Sequence, residues 1–287
     1  MPITLLQIIV LGLIQGATEL LPVSSSAHVI AAEKLMGIDP TSPEATFLLI
    51  MLHTGTMLAV LVYFWRSWAR NYFSDRQRLK AVVAQVIAAT AITGLLGLGL
   101  KELIEKVWLA GSESTEVESL FGRLPLIAAG LAAVGVLIIW SGSRRAPAAA
   151  DAAVTMRTAW WMGALQGLAL PFRGFSRSGS TISGALLTGT GRQPAEEFSF
   201  ALGLVVTPPL VALELRRLIR LHEEESVQHH LLRLTAPGLA GMACSFVAGL
   251  LALRLLSRWL AAGRWRFFGI YCIAAAAVVA AMALAGY

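Results

Sequence analysis

The sequence predicts an all-α protein that crosses the membrane several times, because its composition is apolar and its apolar segments are long. Hydrophobic residues make up 56% of the 287 residues and charged residues only 14%, whereas soluble domains carry about 25% charged residues. Six segments approach the roughly 20 apolar residues that a helix needs to cross the hydrocarbon layer. They are 47–65, 81–100, 124–140, 198–215, 237–256 and 267–286. This pattern disfavours a soluble enzyme, a disordered chain and a membrane β-barrel.

Two further apolar stretches, 3–37 and 158–189, are predicted to dip into the membrane and return to the same side. Each has a helical arm, a break rich in Pro, Ser and Gly, and a second apolar arm. The second arms, 27–37 and 178–190, rise only about 16–20 Å as helices and are too short to span. We therefore predict two re-entrant helical hairpins in addition to six transmembrane helices.

The two stretches resemble each other, which predicts an internal repeat. The sequence GLIQG at 12–16 recurs as GALQG at 163–167, and three spanning helices follow each hairpin. Because three crossings is an odd number, the second half enters from the opposite face, as in inverted-topology repeats. The predicted parts of this single membrane domain (1–287) are a first repeat (1–140), a linker (141–156) and a second repeat (157–287).

The charges predict an orientation and a class of partner. The net charge is +6, and the loops that are cytoplasmic when the N-terminus lies outside carry more Lys and Arg than the opposite loops. The positive-inside rule then places both termini outside, together with the acidic stretch 113–118. In a membrane protein a basic balance is typical of loops that face anionic lipid. We expect membrane lipid as a partner and no nucleic acid.

The first break places an acid where a charge is costly. Gln15 and Glu19 are four residues apart and share one helix face, and Pro22 stops that helix. A charged side chain at membrane depth is a functional candidate by default. Serines before the second arm are natural helix caps, and a helix N-terminus favours a phosphate. The candidates after the break are Ser24, Ser25, Ser26 and His28.

The second break combines glycines, hydroxyls and guanidinium groups in the string GFSRSGST at 174–181. Glycine lets the backbone approach an anion closely, and the guanidinium fork of Arg177 matches phosphate geometry. The candidate phosphate-binding residues here are Arg173, Ser176, Arg177, Ser178 and Thr181. Two such helix starts meeting at mid-depth predict a pocket of diphosphate size.

Several roles stay open at this point. Glu19 either holds a divalent cation against the phosphates or acts as a general base, and Ser25 or His28 is the nucleophile or its base. Small and hydroxyl residues in membrane helices more often serve helix packing. His53 is as well explained by a buried hydrogen bond as by a role in the site. The hypothesis of a site rests on Glu19, His28 and Arg177, since packing needs none of these charges.

The same breaks carry a family resemblance. Residues 12–30, GLIQGATELLPVSSSAHVI, and 174–185, GFSRSGSTISGA, resemble the two signatures of the bacitracin-resistance type undecaprenyl-diphosphate phosphatases, and 52–60 and 196–200 resemble other segments. The resemblance implies a hydrolase of the bacterial inner membrane that converts undecaprenyl diphosphate to the monophosphate. Such enzymes recycle the lipid carrier for peptidoglycan synthesis. It also implies an active site open to the outer face and a divalent cation, Mg²⁺ or Ca²⁺.

Carried across the matching positions, the resemblance implies catalytic and substrate-binding residues. The catalytic set is Glu19, Ser25, His28 and Arg177, with Glu19 as a metal ligand, and the substrate-binding set is Gln15, Ser24, Ser26, Arg173, Ser176, Ser178 and Thr181. The sequence departs from the family pattern at four places. Gln15 stands where Glu is frequent, and Ser26-Ala27 stands for Thr-Gly. One residue is inserted between Pro171 and Gly174, and an acid near 52–60 is missing.

Two other functions fit the same pattern. Inverted repeats with broken helices are common in transporters, so a polyprenyl-phosphate flippase or an anion transporter without hydrolysis is the main alternative. A membrane component with no ligand is the third. The sequence also leaves a homo-oligomer open.

Overall fold

The computed structural model describes residues 3–40, 42–108, 123–144, 152–221 and 225–286. This part of the chain forms ten helices and contains no strand. The acidic stretch 113–118 and residues 145–151 of the predicted linker lie outside the described residues. The predicted all-α class is therefore confirmed for the part that is described.

Six helices are long and apolar enough to cross a membrane. They are α3 (Pro43–Asn71), α4 (Arg76–Leu103), α5 (Leu124–Gly142), α8 (Arg192–Leu221), α9 (Glu225–Ala261) and α10 (Trp265–Leu284), with a π-helical turn at Ile104–Trp108 after α4. Each predicted apolar segment coincides with one of them. Most extend beyond their segment, because polar residues at the ends stay helical. The chain is a multi-pass membrane protein.

Four shorter helices form the arms of the two predicted hairpins. They are α1 (Leu5–Leu20), α2 (Ser25–Leu35), α6 (Met156–Ala169) and α7 (Arg177–Leu187). The second arms have 11 residues each and rise about 16 Å, too little to span. That each hairpin returns to its own side of the membrane stays a prediction.

The first break forms where the sequence places it. The side chain of Thr4 caps α1 and forms a capping box with Gln7. The helix ends at Leu20, and Leu21 is extended with φ −80° and ψ 151°. A residue before proline avoids the helical region, so Pro22 explains the end of the helix and the direction in which the chain leaves it.

The two halves of the chain exchange their first arms. α1 packs against α9 of the second half, where a Cβ on Gly12 or Gly16 would meet the α9 backbone. α6 packs in the same way against α4 of the first half, through Gly163 and Gly167. These glycines therefore serve close helix packing. The exchange is the arrangement that an inverted repeat requires, and the repeat itself stays a prediction.

The second arms, α2 and α7, pack against α5 and α10. Ala27 and Ile30 of α2 pack into a buried cluster with residues of α5 and α10. The indole N–H of Trp265 on α10 donates to Ser141 of α5 at 3.0 Å and to Ser183 of α7 at 3.2 Å. Both arms therefore start at positions fixed by packing.

Candidate active site

Glu19 lies at the end of α1 with hydrogen-bond donors around its carboxylate. Its Oε2 accepts from the hydroxyl of Ser25 and from Nε2 of Gln15 at 3.2 Å. Its Oε1 accepts from Nη2 of Arg177 at 2.8 Å. The Glu19 side chain is only 11% exposed. A buried carboxylate needs such partners to remain charged, so this environment suits a group that accepts protons.

Arg177 brings the second break to the first. It is the first residue of α7, and its side chain crosses to Glu19, which is 158 residues away in the sequence. The other guanidinium nitrogen, Nη1, donates to the hydroxyl of Thr207 on α8 at 2.8 Å. The side chain keeps 28% of its surface exposed, which leaves donors of the fork available to a ligand.

A pocket adjoins this ion pair. It encloses about 430 Å³, open mouth included. Its lining combines polar residues, namely Glu19, Arg177, Ser178 and three further hydroxyl residues, with aliphatic and aromatic residues. The polar group is Glu19, Thr56, Arg177, Ser178, Ser199 and Thr207, and the apolar group is Leu20, Met57, Val60, Phe200 and Leu204. A ligand with a charged head and an apolar tail matches this division.

The three serines of the first break are placed differently from one another. Ser25 begins α2 and directs its hydroxyl to Glu19. Ser24 occupies the cap position, but its side chain makes no capping hydrogen bond and lies 3.4 Å from the hydroxyl of Ser26. Only Ser25 of the three therefore contacts the carboxylate. The predicted capping role of these serines is not realised by Ser24.

The hydroxyls of the second break fix the start of α7. Ser176 is its cap and accepts from the Gly179 N–H at 3.2 Å. Ser178 lines the pocket, and Thr181 is buried and lies 2.6 Å from the hydroxyl of Ser199. Of these three hydroxyls, that of Ser178 is placed for a ligand, whereas those of Ser176 and Thr181 support the helix. A direct phosphate contact of Ser176 or Thr181 stays a prediction.

Gly174 has a positive φ of 95° and passes against α5, where a Cβ would collide with the carbonyl oxygen of Ile127. Only glycine fits this conformation without strain. It lets the second break turn tightly enough to place Ser176 as the cap of α7 and Arg177 at the pocket.

Two predicted residues have other partners in the structure. Nδ1 of His28 contacts the Ser24 carbonyl oxygen at 2.8 Å, and Nε2 contacts the Tyr271 hydroxyl at 2.7 Å. Arg173 acts on Glu33 of α2: burial raises the pKa of the Glu33 carboxyl to about 7, and the charge of Arg173 opposes that rise. A phosphate contact of Arg173 stays a prediction.

His53 is the site residue that the sequence left undecided. Its Nδ1 lies 2.9 Å from the carbonyl oxygen of Leu49, and its Nε2 lies 3.7 Å from Oε2 of Glu19. Because a carbonyl only accepts, Nδ1 carries the proton, and Nε2 is the nitrogen that faces the carboxylate. The position of His53 within α3 gave no signal, since the face that turns to α1 depends on helix packing.

Comparison of the sequence with known proteins shows the family of this chain. A family model described as bacitracin resistance protein BacA matches residues 8–278. The undecaprenyl-diphosphatase 2 of Acinetobacter baylyi is 53% identical over 281 residues, which cover 97% of this chain and 98% of that protein. The chain belongs to the BacA family. The undecaprenyl-diphosphatases of Desulfosudis oleivorans and Korarchaeum cryptofilum are 34% and 30% identical and cover 93% of this chain.

The BacA membership confirms the resemblance drawn from the two breaks. The resemblance implied a divalent cation, so we asked which side chains of the site could hold one. Among the described residues no group of three His, Cys, Asp or Glu side chains is arranged to hold a metal. Glu19 is nevertheless joined by Gln15, whose Oε1 is buried without a hydrogen-bond partner. Mg²⁺ is commonly held by one or two carboxylates together with substrate phosphates. The two side chains fit a cation that is bound in this way with the substrate.

Proposed function

We propose that this protein hydrolyses undecaprenyl diphosphate to undecaprenyl phosphate and inorganic phosphate, and so recycles the lipid carrier of cell-wall synthesis. The observation that carries the proposal is the meeting of Ser25 and Arg177 at the Glu19 carboxylate, beside a pocket that Glu19 and Arg177 line together with apolar residues. The relatives named above are undecaprenyl-diphosphatases, and their names agree with this arrangement.

Substrate binding follows from the division of the pocket. The diphosphate lies beside the polar lining residues. There Arg177 donates to its oxygens, and the N-termini of α2 and α7 offer N–H groups. The first isoprene units lie along the apolar residues, which include Met57, Phe200 and Leu204. The rest of the prenyl chain extends into lipid, which needs no further protein surface.

Ser25 is the nucleophile in this proposal and Glu19 its general base. The Ser25 hydroxyl already donates to Glu19, so the carboxylate takes that proton as the oxygen attacks the terminal phosphorus. The bridging P–O bond breaks, and undecaprenyl phosphate leaves with the electron pair. Glu19 passes the proton it took from Ser25 to the departing undecaprenyl phosphate. It then accepts a proton from water as the water oxygen attacks the phosphoserine, and it returns this proton to the Ser25 oxygen as the bond between that oxygen and phosphorus breaks. His28 is not used as the nucleophile, because both of its ring nitrogens have partners.

Arg177 stabilises the charge that accumulates on the phosphoryl oxygens during both steps. A divalent cation, Mg²⁺ or Ca²⁺, would be held by Glu19 and by Oε1 of Gln15, and when bound it would neutralise diphosphate charge. We expect EDTA to suppress phosphate release and added Mg²⁺ or Ca²⁺ to restore it.

The cellular setting belongs to the same proposal. The six membrane helices and the lipid substrate agree with the bacterial inner membrane. The family resemblance implies an active site that opens to the outer face, and we propose the same for this pocket.

The decisive experiment is phosphate release by the purified protein from a polyprenyl diphosphate, followed by trapping of the intermediate. The proposal expects turnover by the wild type, and a phosphorylated Ser25 in peptides of acid-quenched protein. Ser25→Ala should lose at least about 10³-fold in kcat, as expected for removal of a nucleophile. Ser143→Ala is the matched control, because that hydroxyl only bonds to the Ile139 carbonyl in its own helix, at 2.7 Å.

Two outcomes would contradict the proposal. An inactive wild type that moves polyprenyl phosphate across vesicles would favour the flippase alternative. Turnover by Ser25→Ala at the rate of Ser143→Ala would remove Ser25 as the nucleophile.

A further inference from the structure

The break between α1 and α2 contains a strained residue next to the proposed nucleophile. Ser24 has φ 66° and ψ 94° and is the one non-glycine residue with positive φ in the described part of the chain. Such a conformation persists only where the surroundings enforce it. Because Ser24 directly precedes Ser25, its backbone angles determine where the Ser25 hydroxyl lies relative to Glu19.

Two carbonyl groups of the break are held by side chains, one from α10 and one from α2, the helix that follows the break. The carbonyl oxygen of Pro22 accepts from the thiol of Cys272 at 3.2 Å. The carbonyl oxygen of Ser24 contacts Nδ1 of His28 at 2.8 Å. Cys272 belongs to α10, and the residue before it, Tyr271, contacts His28. α10 therefore fixes the break at one point directly and at a second point through His28.

The partners of His28 define how its ring is used. Since the Ser24 carbonyl only accepts, Nδ1 carries the proton and donates to it. In the neutral ring Nε2 is then an acceptor, and the Tyr271 hydroxyl donates to it at 2.7 Å. The two rings also stack, with centroids 5.7 Å apart and an interplanar angle of 12°. Tyr271 thereby holds both the position and the orientation of the His28 ring.

The location of Tyr271 strengthens this contact. It lies on the membrane helix α10 and is 47% exposed, and we expect the exposed face of such a helix to meet lipid. Water competes little for a hydroxyl in such a place, and an unpaired hydroxyl there is costly. The Tyr271 hydroxyl contacts the His28 ring, so it reaches the site through His28.

We infer that Tyr271 is a positioning residue for phosphate release, acting through His28 and the Ser24 carbonyl to hold the Ser25 hydroxyl against Glu19. The inference rests on the proposed function, because the position of Ser25 matters only if Ser25 reacts. It assigns His28 a positioning role as well.

Tyr271→Phe tests the inference, because it keeps the stacked ring and removes only the hydroxyl. Tyr63→Phe is the matched control: that hydroxyl donates to Ser257 at 3.0 Å, between α3 and α9. A hydrogen bond of ordinary net strength corresponds to about 3- to 10-fold in rate. We expect kcat of Tyr271→Phe to fall by that factor with KM within about twofold of the wild type. We expect Tyr63→Phe to keep the wild-type kcat and the two variants to have equal Tm.

A double-mutant cycle shows whether Tyr271 acts through His28. Tyr271→Phe should have no further effect on kcat in a His28→Gln background. A measurement without turnover accompanies it: the ¹⁵N resonance of His28 Nε2, assigned with His28→Gln, should move in Tyr271→Phe and stay in Tyr63→Phe.

The outcomes separate the inference from the proposed function. An active wild type with equal kcat in both Phe variants overturns the inference alone, as does an unmoved His28 resonance. An equal loss in both backgrounds also overturns it. A wild type without phosphate release overturns the proposed function and the inference with it.

Discussion

Arg177 provides the sharpest test of the site, because it joins the two halves of the chain at the carboxylate. Its fork donates to Glu19 and to Thr207, at 2.8 Å each. Arg177→Lys keeps the charge, but a single ammonium group cannot reproduce a planar fork with two separate partners. The substitution therefore removes directed donors without removing the cation.

The expected loss follows from the chemistry that the fork performs. One preorganised donor to a developing oxyanion contributes about 10²- to 10³-fold in rate, or roughly 2.7–4 kcal/mol. We expect Arg177→Lys to lower kcat/KM by about 10²-fold and Arg177→Ala by more than 10³-fold. Arg177→Ala also leaves the 11%-exposed Glu19 without its ion pair. Breaking a buried pair costs about 3–5 kcal/mol, and the partial exposure of Arg177 places this case at or below the lower end.

The assay is phosphate release by purified protein, with thermal unfolding measured on the same samples. Arg192→Lys is the matched control, since Arg192 is half-buried and donates to the Ala261 carbonyl at 3.0 Å, away from the pocket. The double variant Glu19→Gln, Arg177→Ala should unfold at a higher temperature than Arg177→Ala, because it removes the unpaired charge. Equal kcat/KM for Arg177→Lys and Arg192→Lys would refute the reasoning.

Three further predictions follow from other contacts. His53→Gln should lower kcat about tenfold, because the ring that borders Glu19 is lost. The control Thr54→Val removes a hydrogen bond within α3 and should keep the wild-type kcat. Equal kcat in the two variants would exclude a role for His53. The pKa of Glu33 is raised from 4.5 to about 7, so the folded state loses stability as pH rises from about 4.5 to 7, by up to about 3 kcal/mol. Tm of the wild type should therefore fall relative to Glu33→Gln over that interval, and parallel curves would contradict the shift. Gly16→Ala should destabilise the protein by about 1–3 kcal/mol, since its Cβ collides with α9. Gly94→Ala should not destabilise it, because no atom lies within 4 Å of the added Cβ. Equal Tm values for the two variants would show that α1 can move away from α9.

The sequence predicted those parts of the fold and site that depend on local chemistry. Long apolar segments gave the six membrane helices, and Pro22 gave the end of α1. Glu19 and Arg177 stood out because a charge at membrane depth needs a reason. The structure brings these two side chains together across 158 residues.

The remaining parts depend on which helix faces turn toward each other. His53 lies inside an uninterrupted helix, and Tyr271 lies 243 residues from His28. Periodicity does not show that either residue reaches the break, because the rotation of α3 and α10 is set by packing. Packing also determines which group the charge of Arg173 acts on. The sequence predicted a phosphate contact for Arg173, and in the structure its charge acts on Glu33.

The exchange of arms between the halves constrains the order in which the protein matures. α1 leaves the ribosome first, yet the surface that receives its glycines is synthesised more than 200 residues later, in α9. Until Arg177 is translated, the N-terminal half also holds an acid, Glu19, whose cationic counterpart is missing. Neither half can therefore complete its packing or the site alone. Separately expressed halves should release phosphate only when both are inserted in one bilayer.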